Sequence, residues 1–136
     1  MNKHIFAVIA LVGLVISFWP ERLALPTPPP KGPVGQTLLN ATSADKSRVS
    51  AFYSSLADVI ERDPAAVKTV GQFGTLHGKS LDLAFKGTDL PGKYLGLDRA
   101  IDGVLTAAVG REDIPLTPEK VTLLVQALKE VANDAR

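Results

Sequence analysis

The sequence predicts an all-α protein: an N-terminal apolar helix, a proline-rich spacer and a small four-helix C-terminal domain. Three observations carry this. Residues Ile5 to Trp19 are uncharged and follow Lys3. Pro26, Pro28, Pro29, Pro30 and Pro33 crowd the next segment. Beyond residue 41, apolar residues recur at helical spacing, and no segment shows the alternation of a half-buried strand. The corresponding divisions are 1–22, 23–40 and 41–136.

The first division has two readings. A 15-residue apolar helix rises about 22 Å, against a hydrocarbon core of about 30 Å, and this shortness suits a cleaved signal peptide. The flank suits a retained anchor. Val15-Ile16-Ser17 is the one passable cleavage signal, and Phe18-Trp19 before Glu21 and Arg22 resembles an interfacial aromatic anchor. The expectation is a single-pass signal-anchor with the C-terminal domain outside the cytoplasm; the alternative is secretion after cleavage. In the second division the prolines exclude helix and interior strand and favour polyproline II. Residues 26–36, at about 3.1 Å each, would hold a domain about 30 Å from the membrane.

Four helices are expected in the third division. The first covers 43–62: Thr42 or Ser43 caps it, Asp45 favours its first turn, and Val49, Phe52, Tyr53, Leu56, Val59 and Ile60 form one stripe. Asp63-Pro64 ends it and opens a second helix over 64–86. The third covers 95–109 and stops at Gly110. The fourth, 118–134, opens on Thr117-Pro118-Glu119 and carries the stripe Val121, Leu124, Val125, Leu128, Val131 and Ala132. They would form a small antiparallel bundle or an irregular orthogonal packing.

"GQFGTLHGKS", residues 71–80, imitates a nucleotide phosphate loop. That loop needs its first glycine five residues before Gly78, where Phe73 stands. The segment also lacks the buried strand from which such a loop issues, so no nucleotide is expected. On a helical wheel Val67, Val70, Gly74, Gly78, Leu81 and Phe85 share a face, and Lys68, Lys79 and Lys86 lie opposite. Gly71, Gly74 and Gly78 then predict a helix-packing notch, with Ala100, Gly103 and Ala107 of the third helix as its partner edge. A competing reading breaks the helix near Gly78, with Ser80 capping a second short one.

Composition excludes several functions. With Lys3 set aside from the 15 basic residues, 14 basic meet 14 acidic side chains, which gives no basic excess for nucleic acid. The chain has no cysteine, hence no disulfide, thiolate metal site or cysteine nucleophile. Its histidines are His4 and His77, too few in the domain for a two-histidine metal site, and His77 reads as a partly buried core residue. No serine stands in a nucleophile setting, and no acidic cluster has calcium-loop spacing. Catalytic residues, cofactors and metals are therefore not expected. The loop "FKGTDLPGKYLGLDR", read as a structured connection, offers Lys86, Lys93, Tyr94 and Arg99 as possible partner-binding residues.

"FYSSLADVIERD", "FKGTDLPGKYLGLDRAID" and "IPLTPEK", placed after an apolar run and a proline-rich spacer, resemble small uncharacterised membrane-anchored proteins of bacteria and their phages. The resemblance spans about residues 51 to 120. It implies a virion, envelope or accessory role and brings no assigned chemistry. The function expected is a membrane-tethered, non-enzymatic interaction or structural subunit that presents a helical domain to a protein partner, or to itself. A lysis or virion-assembly accessory protein and a small exported enzyme are the alternatives.

Overall fold

The structure is a computed structural model, and it describes residues 31–136, a compact unit from Lys31 to Arg136. The expected membrane segment and residues 23–30 of the expected spacer lie outside the described residues. Among the described residues the elements are α1 (Pro33–Thr37), α2 (Ser43–Arg62), a 3₁₀ turn (Pro64–Ala66), α3 (Val70–Ala84), α4 (Leu97–Val109) and α5 (Pro118–Asp134). Their one β pairing is an isolated antiparallel bridge between Thr69 and Pro115. No described helix is long and apolar enough to cross a membrane.

Helices α2 and α5 form the central pair. Both begin as their sequences dictate. The Thr42 hydroxyl accepts from the Asp45 amide at 3.1 Å, and the Thr117 hydroxyl accepts from the Lys120 amide at 3.2 Å. Each cap satisfies an amide that the first helical turn leaves unpaired. Val49, Tyr53, Leu56, Ala57 and Ile60 of α2 are buried, as are Leu124, Val125, Leu128, Val131 and Ala132 of α5. Val59, expected in the stripe, is exposed instead. The Ser50 hydroxyl donates to the Ala132 carbonyl at 2.7 Å, which fixes the register of the pair.

Helix α4 lies against α5 and α1 and buries Leu97, Ile101, Leu105 and Val109, one residue per turn. Gly96 and Gly110, with φ of 84° and 81°, bound it at positions where a side chain would be strained.

The end of the expected spacer is part of the domain. Pro33 occupies the first turn of α1, where its missing amide costs nothing. Val34 and Leu38 point inward and are fully buried. The Asp134 carboxylate, at the end of α5, accepts from the Gly32 and Gly35 amides, each at 2.8 Å. A Cβ on Gly35 would stand 2.5 Å from an Asp134 oxygen, so glycine is what permits this approach. Over residues 31–40 the spacer reading is therefore corrected: capture of two apolar side chains and two amides outweighs the extended preference of the prolines upstream.

The second expected helix is also revised. Pro64 opens a 3₁₀ turn, Val67 to Thr69 run extended into the bridge, and α3 begins at Val70, where the Thr69 hydroxyl caps the Gln72 amide at 3.1 Å. The helix then continues unbroken through Gly78 and Ser80 to Ala84, so the alternative with a break there is not adopted.

Candidate functional site

Three places in the domain gather side chains in a way that helix packing alone does not require.

The first is an apolar groove of about 740 Å³ where the end of α2, the 3₁₀ turn and the bridge meet α5. Pro64, Val67, Leu116, Pro118, Val121 and Val125 line it. It exists because the chain leaves α2 through a short turn and not through a helix that would cover this flank of α5. The Lys129–Glu61 ion pair, 3.2 Å, stands on its rim. Lys68 also lines it and has no ion-pair partner among the described residues.

The second is an aromatic cluster around His77. Phe73 stacks on the imidazole with centroids 5.6 Å apart, and Phe52 does so at 6.3 Å. The His77 Nε2 and the Tyr53 hydroxyl share a hydrogen bond of 2.7 Å. Burial pushes the imidazole below its usual range, while the Asp102 and Asp98 carboxylates pull it back up. Burial pushes the Tyr53 phenol well above its ordinary value, so it stays protonated. His77 lines a cleft of about 280 Å³ between α3 and α4, together with Gly71, Gly74, Leu105 and the Asp102–Arg111 ion pair of 3.0 Å.

This cleft stands where the packing notch was expected. A Cβ on Gly74, on Gly78 or on Gly103 would meet nothing within 4 Å. Gly71 has a neighbour of another kind: its amide donates to Asp113 at 2.8 Å. The notch is therefore corrected. The face that packs is set by Phe73, whose large apolar area gains most from burial, and the glycines fall at its margin. The first amides of α3 are also fully engaged. Val70 donates to the Ile114 carbonyl, Gly71 to Asp113 and Gln72 to Thr69. The stretch that imitates a phosphate loop is thus a capped helix.

The third place is Asp45, the one buried charged side chain among the described residues. Its carboxylate accepts from the Tyr94 hydroxyl and, at 3.1 Å, from the Lys93 ammonium. Of the four loop residues singled out for partner binding, Lys93 and Tyr94 are brought together here as an internal anchor. They hold the 85–96 loop, with its cis Leu90–Pro91 peptide and buried Leu90, against the start of α2. Lys86 and Arg99 remain exposed. Sequence reasoning missed Asp45 as a member of this group, although its position four residues before Val49 puts a carboxylate on the apolar stripe, where it needs a buried partner.

The Tyr94 hydrogen bond, and after it the Lys93 hydrogen bond, holds the Asp45 carboxyl below its ordinary value. Asp45 therefore adds stability above the unfolded carboxylate range near 3.8, and the contribution disappears as pH falls through its lower folded value. Carboxyl ¹³C titration is expected to show Tyr94→Phe and Lys93→Met each raising the Asp45 pKa. A variant that leaves it unchanged would show that its side chain does not hold the carboxylate.

No three His, Asp or Glu side chains among the described residues are placed to hold a metal ion. Comparison with protein-family models, with curated proteins and with solved structures found no match for the chain.

Proposed function

We propose that the chain is a membrane-tethered, non-enzymatic interaction subunit, which uses its helical domain to hold a protein partner at a membrane surface. The observation that carries the interaction role is the apolar groove on α5. A domain of this size gains by covering the half-buried Val121 and Leu116 and the exposed Pro118, and their place in a solvent-facing groove supports reading it as a surface for a partner. Lys68, the rim cation without an ion-pair partner among the described residues, favours an apolar partner segment flanked by an acidic residue.

The tether rests on the sequence. An uncharged run with an aromatic end precedes the prolines, and the domain begins directly after them, fastened through Gly32, Gly35 and Asp134. A membrane anchor joined to the domain through a short proline-rich segment would raise the domain's effective concentration at the membrane.

The test places a photo-crosslinking residue at Thr122, in the groove, and at Leu95, exposed outside it, in the full chain in the cells that make it. A discrete protein adduct is expected from Thr122 in the membrane fraction. It should be lost on Val121→Asp and reduced on Lys68→Glu. Equal adducts from both positions, or an adduct indifferent to Val121→Asp, would overturn the groove reading. Recovery of the domain in soluble form with a mature N-terminus near Phe18 would overturn the tether.

A further inference from the structure

Helix α3 is held unlike its neighbours. Phe73 is its one buried residue, whereas α2, α4 and α5 each bury at least four. Its backbone makes at most a slight approach to any other helix. The space toward α4 is the 280 Å³ cleft, which Gly71 and Gly74 line without a side chain. Both ends are fastened. Val70 and Gly71 bond to Ile114 and Asp113, and Phe85, just past the helix, packs on Phe52 at 5.4 Å. Between those ends, Phe73, the half-buried Leu76 and the His77–Tyr53 pair attach the helix body to the core. An element with few buried contacts and three interior glycines belongs to the low-stability end of a fold, where local opening occurs.

We propose that α3 is an acid-released flap: protonation of His77 detaches the helix body from α2 and α4 and uncovers the aromatic surface of Phe52 and Tyr53. Neutral His77 fits its place, stacked between Phe73 and Phe52 with Nε2 on the Tyr53 hydroxyl. An imidazolium there loses its acceptor nitrogen, so the Tyr53 hydroxyl must turn from donor to acceptor, and it sets a charge in a site shielded from water, where burial disfavours it. The charged and titratable groups facing it are the Tyr53 hydroxyl from α2 and Asp98 and Asp102 from α4. Asp102 is engaged by Arg111 at 3.0 Å, so its carboxylate is partly neutralised already.

The sign follows from linkage. The attached state holds His77 below its ordinary value of 6.5, because burial outweighs the two carboxylates. The detached state restores that value and binds the proton more readily. Attachment is therefore at full strength above about pH 6.5 and weakens as pH falls below it. The flap does not depend on the groove being a partner site, since α3 does not line that groove.

Hydrogen exchange on the full chain, corrected for the chemical rate at each pH, reads the opening of α3 directly. Between pH 7.5 and 5.5 the opening of residues 73–81 is expected to rise relative to α2 and α5, by up to about tenfold, as a detached value of 6.5 allows. His77→Gln keeps a hydrogen-bonding partner for Tyr53, and His77→Phe keeps the ring stack; neither titrates. Each is expected to flatten the pH response, whatever its basal opening, and one folded variant suffices. A wild-type α3 whose opening does not change over this range, or a response of equal size in the variants, would overturn the proposal.

Discussion

Replacing Leu38 with alanine is expected to destabilise the domain by about 2–5 kcal/mol, the usual cost of emptying a fully buried leucine site. Leu38 is 1% exposed and belongs to the same core as Tyr53, Leu97 and Leu128. Denaturant unfolding, compared with wild type at an unchanged m value, would measure it. An extended spacer predicts a change near zero, because a leucine in solvated polyproline II has no packing to lose. The same logic places the start of the folded unit. A chain shortened to begin at residue 41 should lose Val34, Leu38 and both amides held by Asp134, and with them more stability than Leu38→Ala alone. If Leu38→Ala leaves the unfolding midpoint where it was, α1 is not part of the cooperative core.

Much of the helical framework was legible because its signals are local. Thr42 with Asp45, and Thr117 with Pro118, specify α2 and α5 at the bounds observed, 43–62 and 118–134. Gly110 specifies the end of α4 in the same way. What was not legible depends on partners far along the chain. The short helix at Pro33 needs Asp134, about a hundred residues away, to satisfy its amides. Its local trace, Val34 and Leu38 four residues apart after a proline, is easily outvoted by a proline-rich context. Pro64 is equally fit to open an α-helix or a 3₁₀ turn, and the bridge between Thr69 and Pro115 decided between them. The candidate site divides along the same line. Lys93 and Tyr94 stand out in the sequence as partner-binding candidates, but their partner Asp45 reads there only as a charge that favours the first turn of its helix. The groove on α5 could not be read at all, because it is made by where the chain does not go.

Substituting both Gly74 and Gly78 with alanine is expected to stabilise the protein by about 2 kcal/mol, about 1 kcal/mol for each interior helical glycine. Neither position has positive φ, and a Cβ at either meets nothing within 4 Å. Alanine therefore adds helix propensity without a clash, and the gain arises largely in the unfolded chain, which loses freedom. A close crossing of α3 and α4 at these residues predicts the opposite sign, since each new methyl would push two backbones apart. Thermal unfolding of the double variant distinguishes the two, with Gly71→Ala as a contrast. There a Cβ would stand 2.7 Å from the Asp113 carboxylate that holds the first turn, so the same change should destabilise. The alanines also bear on α3 as a flap. By strengthening the helix itself while leaving His77, Tyr53 and Phe73 in place, they lower the loss of backbone order that opening releases, without adding contact to the core. A large rise in global stability with α3 exchange still the fastest of the long helices would locate the weakness in the attachment of α3 and not in its helicity.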